Sequence, residues 1–179
     1  MGAALQGADD NRGRWLTVPR TVAFVCHEDS VLMIKRRQDS RIYPGRYNGV
    51  GGHLERDEDP ASGVLREISE ETGLEVSQLR LRAVYNIDPG GRQGVLLFVF
   101  TCTCDSPTLS GPSQEGELHW ILREDLQSLP LVEDLPQMLP LILDLADDAA
   151  PLFVHASYDC NDKLQLRISQ VDTDVDQFQ

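Results

Sequence analysis

The sequence predicts an α/β sandwich in which a mixed β-sheet packs between helices. Three observations carry that prediction. Short apolar, β-branched runs are interleaved with two helical segments instead of segregating into all-strand and all-helix halves. One helical segment, near residues 60–72, has a start and a stop signal written into it. The composition, 41% hydrophobic and 25% charged in 179 residues, is that of one globular domain with a sizeable core.

The elements follow in order. Residues 1–18 are small, polar and charged, and read as a flexible tail before a single domain over 19–170. Residues 21–27 and 31–35 are apolar and β-rich and flank Glu28-Asp29-Ser30, which makes a hairpin. Residues 38–46 are polar and contain Pro44-Gly45, a loop. Gly49, Gly51 and Gly52 then lie close together, where backbone can approach a ligand or metal.

Asp59 is a good helix N-cap, Pro60 a good first helical residue and Gly73 a left-handed stop. Between them Ala61, Val64, Leu65 and Ile68 recur at helical spacing, which predicts a buried stripe. Residues 79–87 read as a strand, 88–91 as a turn, and 94–104 as a long apolar strand at the centre of the sheet. After a loop over 105–115 come a strand over 117–122 and a helical turn over 123–127. Residues 135–145 form an apolar helix in which Pro140 predicts a kink or break. Residues 152–158 and 164–168 form a closing hairpin, and 171–179 an acidic tail. No internal repeat is visible.

The formal net charge of −13 disfavours a nucleic-acid polymer as partner, because such a partner needs a basic face. A small anionic substrate stays compatible, since a bound cation reverses the field locally. The N-terminus has no apolar leader, and no apolar run is long enough to span a bilayer, so a cytoplasmic protein that does not engage membranes is expected. Cys26, Cys102, Cys104 and Cys160 make no C-x-x-C pair and read as reduced thiols. A monomer or homodimer fits equally.

The chemistry concentrates in residues 52–74. Glu67, Glu70 and Glu71 stand at i, i+3 and i+4, one face of the helix. Their mutual repulsion is relieved by a hard divalent cation with oxygen ligands, Mg2+ first among them. Arg66 lies four residues before Glu70 and can pair with it or reach back to Glu58.

Gly52, five residues, Glu58, seven residues, then Arg66-Glu67-Ile68-Ser69-Glu70-Glu71-Thr72-Gly73-Leu74 resembles the signature of the Nudix hydrolase family at every position. The resemblance implies an α/β/α sandwich with a loop–helix–loop that holds Mg2+, or Mn2+ in its place, against a diphosphate. It implies water-driven cleavage of a nucleoside diphosphate linked to another group. Glu67, Glu70 and Glu71 are then metal ligands, joined by the Gly52 carbonyl, with Glu58 and Arg66 as their orienters. Many relatives add a later glutamate as base or extra ligand. Glu115, five residues before Trp120, matches that position in the branch that hydrolyses oxidised purine triphosphates.

Further segments resemble that MutT-like branch. Asn48, following Tyr47, matches an Asn that hydrogen-bonds the base, although an Asn there also caps turns. Residues 151–173 resemble the branch's closing hairpin. Glu133 and Asp134 match acids that hold the purine, but the branch's preceding Trp is absent, leaving Tyr47 or Phe153 to stack. The same acidic pair also suits a helix dipole. Lys35, Arg36 and Arg37 can meet phosphates or form a solvated basic turn. The resulting expectation is a Mg2+-dependent hydrolase that converts a nucleoside triphosphate, 8-oxo-dGTP among the candidates, to monophosphate and pyrophosphate. A hydrolase of ADP-ribose, a dinucleotide or another nucleoside diphosphate derivative is the rival within the family. A non-catalytic nucleotide sensor is the rival outside it.

Overall fold

The computed structural model describes residues 13–111 and 113–170. Strands β1 (Leu16–His27) and β2 (Ser30–Arg36) form the expected hairpin, but they pair only beside the turn, at Cys26↔Val31 and His27↔Ser30. Beyond it they diverge, and the glycine-rich segment enters alongside β1. Ala23 and Val50 exchange backbone hydrogen bonds at 2.7 and 3.0 Å, and the Thr21 N–H donates to the Gly52 carbonyl at 2.9 Å. A Cβ at Gly49 or Gly51 would meet β1 backbone, so these two glycines serve the close approach of two chains.

β2 pairs instead with β3 (Tyr47–Asn48) and β6 (Gly116–Leu122). On its other side β1 runs parallel to β5 (Gln93–Thr103). The sheet continues through β4 (Ser77–Asp88), β7 (Leu152–Tyr158) and β8 (Leu164–Gln170). The β5–β4 and β7–β8 pairs are antiparallel and β4–β7 is parallel. The sheet is therefore mixed, with the long apolar strand β5 in its middle.

Period-two alternation divides the strands between two cores. Val22 and Phe24 of β1 join one cluster, and Ala23 and Val25 join the other. Helix α1 (Pro60–Thr72) closes the second cluster with Val64 and Ile68. Helix α2 (Leu135–Asp144) closes the first with Leu135, Met138, Leu139 and Ile142. Strands buried on both faces need apolar residues in both registers, which is why 22–25 and 31–34 read as continuous apolar runs.

α1 carries its expected caps. The Asp59 carboxylate accepts the Ala61 and Ser62 N–H groups at 2.8 and 3.0 Å, and Gly73 takes a left-handed φ of 70°. The structure corrects three expectations. β1 begins at Leu16, so residues 16–18 belong to the sheet and not to the tail; residues 1–12 and the acidic segment 171–179 lie outside the described residues. Leu65 is exposed, and Gly63 and Thr72 are buried in its stead. At 100° per residue Leu65 rotates off the line that Val64, Ile68 and Thr72 share. Finally, α2 runs through Pro140 without a break. The Pro136 carbonyl that loses the residue-140 N–H accepts the Gln127 side-chain amide at 3.1 Å instead.

Candidate functional site

α1 begins from the loop that holds Gly52 and presents Glu67, Glu70 and Glu71 beside it. A single guanidinium organises this region. Arg66 grips Glu58 with two nitrogens, at 2.6 and 3.1 Å. It also donates to Glu67 at 3.0 Å, to Glu70 at 3.1 Å and to the His53 carbonyl at 3.2 Å. The Arg66 hydrogen bond holds the Glu58 carboxyl below its usual range. Glu58 raises the Arg66 pKa in turn. A Cβ at Gly52 would collide with the Glu67 carboxylate, so only glycine lets the loop backbone and this acid share the space.

Glu71 differs from its neighbours. Its Oε2 is buried and has no hydrogen-bond partner. Burial first, and then the charges of Glu115 and Glu67, push its carboxyl up to about 8, with Arg36 opposing. Burial also raises Glu67, against the pull of Arg66. Among the described residues no three acids, imidazoles or thiols converge as a ready-made ligand shell. Arg66 draws Glu67 and Glu70 to itself, while Glu71 faces the field of Glu115 and Arg36. The donor set is nonetheless all hard oxygen, and the orphaned Glu71 oxygen and the tight Gly52–Glu67 approach fit a small divalent cation. The Gly52 carbonyl accepts the Thr21 N–H with one lone pair and keeps the other.

A cavity of about 440 Å³ opens next to this loop. Its interior is apolar, with Phe24, Val99 and Leu135 in the walls and three phenols, Tyr43, Tyr85 and Tyr158. Its cationic side is lined by Arg20 and Arg36, beside Gly52, His53 and Glu115. Tyr43 sits at a positive φ of 49° in the loop after β2, and its hydroxyl lies near Tyr158 of the closing hairpin; burial first, then Tyr158, raises its pKa.

Several residues expected from sequence meet in this cavity. Asn48 lines it, and its Oδ1 accepts the Gly49 N–H at 2.9 Å, the turn-capping bond. Glu133 and Asp134 line it as well. Asp134 precedes α2 but makes no side-chain capping bond. Its carboxyl is raised by burial and lies beside the Tyr85 hydroxyl, which is buried without a hydrogen bond of good geometry. Glu115 also lines the cavity and accepts from Arg36 at 2.6 Å.

Tyr47 and Lys35 do not line it. They are paired across β2 and β3, with the Tyr47 ring buried edge-on to His119 at 5.7 Å and the Lys35 ammonium 5.9 Å from that ring. Arg36, the last residue of β2, lines the cavity, and Lys35 does not. Phe153 is 41% exposed and does not line the cavity either, so its aromatics are the unanticipated Phe24, Tyr43, Tyr85 and Tyr158. Arg20 and His53 were also unanticipated; the only hint in the chain is an arginine opening the apolar run of β1.

A family model described as the NUDIX domain matches residues 16–142. The chain belongs to the Nudix family. It is 30% identical over 128 residues to a MutT-like protein of Streptomyces ambofaciens, spanning 71% of this chain and 75% of that one. Its fold is similar to a MutT protein of Bacillus halodurans (TM-score 0.72, 24% identity, 85% of this chain and 97% of that one). It is also similar to a bifunctional NMN adenylyltransferase/ADP-ribose pyrophosphatase of Francisella tularensis solved with AMP and a Mn ion (TM-score 0.59, 22% identity, 72% of this chain and 41% of that one). As a Nudix hydrolase this protein cleaves nucleoside diphosphate-linked substrates.

Proposed function

We propose that this Nudix hydrolase converts purine nucleoside triphosphates, guanine-type and oxidised guanine bases first, to the monophosphate and pyrophosphate with Mg2+. The observation that carries the reading is the placement of one apolar, phenol-lined cavity against the glycine-rich loop that leads into the acid-bearing helix, with Asp134 and Glu133 in its wall. Apolar walls and phenol rings suit a flat base. Carboxylates accept hydrogen bonds, so they favour a base edge with adjacent N–H donors, which guanine has and adenine lacks. A base N–H donated to Asp134 would oppose the desolvation that raises its pKa. All the box carboxylates are present, which supports a catalyst over a sensor.

Glu67, Glu70, Glu71 and the Gly52 carbonyl are the residues that would hold Mg2+, with Glu115 available beside them. When bound, the cation neutralises phosphate charge and lowers the pKa of water. Glu58 and Arg66 set the positions of the acids. A water oxygen then bonds to phosphorus as the α–β anhydride P–O bond breaks, and its proton passes to a carboxylate of the cluster. Stabilising the developing charge is the larger part of the task.

A panel of nucleoside triphosphates, 8-oxo-dGTP, ADP-ribose and dinucleotides, assayed with Mg2+ and with Glu71→Gln as the blank, tests the reading. Guanine-type triphosphates should lead, and Asp134→Asn should reduce their advantage over adenine. No turnover of any triphosphate, with turnover of ADP-ribose, would replace it with the rival substrate class.

A further inference from the structure

The side of the cavity next to Gly52 and Glu115 holds a pair of arginines in a chain of net charge −13. Arg20 and Arg36 both line it. They are close enough that Arg36 depresses the Arg20 pKa, second only to burial, with Arg41 adding to it. One Arg20 guanidinium nitrogen meets His53 Nε2 at 2.9 Å, while its Nε is buried with no partner. Since arginine has only donors, His53 accepts there through a neutral nitrogen, and the pair places no anion on Arg20. Arg36 is fixed from behind by its Nε on the Ile42 carbonyl at 3.0 Å, and its outer nitrogen holds Glu115 at 2.6 Å. Clustered guanidiniums with one carboxylate between them form an anion site whose occupant here is the protein's own acid.

We propose that Arg20 and Arg36 form a metal-independent grip for the substrate's phosphate chain, and that Glu115 occupies it until phosphate displaces it. The inference rests on the phosphate-bearing substrate of the preceding reading. Phosphate oxygens bridge Arg20 and Arg36, relieve their repulsion and supply the acceptor that the Arg20 Nε lacks. Glu115, released, is free to turn toward Glu67 and Glu71, whose carboxyls its charge already raises. The grip and the freeing of the acid are thus one exchange of partners on Arg36.

The exchange has a sign that separates it from a structural role. In EDTA, binding of inorganic tripolyphosphate to the full chain is measured by calorimetry. Arg20→Gln and Arg36→Gln should each weaken it about tenfold or more, the loss of a charge-assisted hydrogen bond. Glu115→Gln should tighten it several-fold, because the competing anion is gone, while the same variant loses turnover with Mg2+. Arg80→Gln, an exposed cation outside the cavity, should leave the affinity unchanged. Melting curves establish that each variant is folded. Unchanged or weaker tripolyphosphate binding by folded Glu115→Gln would overturn the exchange, and parent-like binding by both arginine variants would overturn the grip. A parallel titration with dGTP separates the ligand sources. If tripolyphosphate binds with these signs but no triphosphate is hydrolysed, the grip stands and the substrate reading falls.

Discussion

Glu71 holds a buried carboxylate oxygen without a partner, a state that favours its neutral form in the absence of metal. The sign of the resulting pH dependence follows from its carboxyl being raised from 4.5 to about 8. The native state keeps this proton while the unfolded chain loses it near 4.5, so its contribution is full below that pH and is lost as pH rises through 8. In EDTA, Glu71→Gln should therefore melt higher than the parent at pH 8, and the difference should shrink at pH 5. Added Mg2+ should stabilise the parent more than the variant, because a ligand that binds only the native state shifts melting by mass action. With Mg2+ the variant should lose turnover by about a hundredfold or more, the scale of a lost charge-stabilising group. A variant that melts like the parent at both pH values would show that the Glu71 carboxylate is not desolvated.

At the scale of elements, the contact that seats α2 under the sheet is made by Arg82 of β4. Its guanidinium donates to Thr101 Oγ1 at 2.7 Å and to the Leu145 and Ala146 carbonyls, just past the helix end, at 3.0 and 2.9 Å. Those acceptors belong to helix-terminal backbone that has no partner within the helix. The remaining nitrogen meets Asp147, whose side chain is 72% exposed. Burial decides which half matters. Arg82→Met should destabilise by about 2–4 kcal/mol, as the buried Arg82 loses its hydrogen bonds to Thr101 and to the backbone past α2. Asp147→Asn should change stability by no more than about 0.5 kcal/mol, as for other exposed ion pairs. Urea denaturation of the two variants checks the contrast, and equal effects would contradict it. Because Asp134 immediately precedes α2, Arg82→Met should also loosen the wall of the cavity and raise KM for any nucleotide substrate.

At the scale of the molecule, a net charge of −13 acts against compactness by self-repulsion. Raising NaCl from about 0.01 to 0.15 M shortens the screening length from about 30 to 8 Å. The metal-free chain should therefore melt several degrees higher at the higher salt, and millimolar Mg2+ should exceed the effect of NaCl at matched ionic strength. A melting temperature independent of salt would mean the charge is already balanced locally. Arg66, spanning three carboxylates, shows how such local balance is built. The cavity's cationic side is the complementary case, an arginine pair in an acidic chain that one carboxylate serves.

What the sequence by itself determined was the part of the site that is local. Glu67, Glu70, Glu71, Arg66, the Asp59 cap and the Gly73 stop follow from helix periodicity and capping, which act over a few residues. The apolar strands and both helices were legible for the same reason. The tertiary structure alone decided what surrounds a nucleotide. Arg20, Tyr43, Tyr85 and Tyr158 come from four segments that meet only because β1 pairs with β5, β4 with β7, and the loop after β2 reaches the closing hairpin. Tyr47 packs into the core with Val31 and Met33 and Lys35 pairs with it, while Arg36 at the end of β2 lines the cavity, a placement set by tertiary packing and not by residue type.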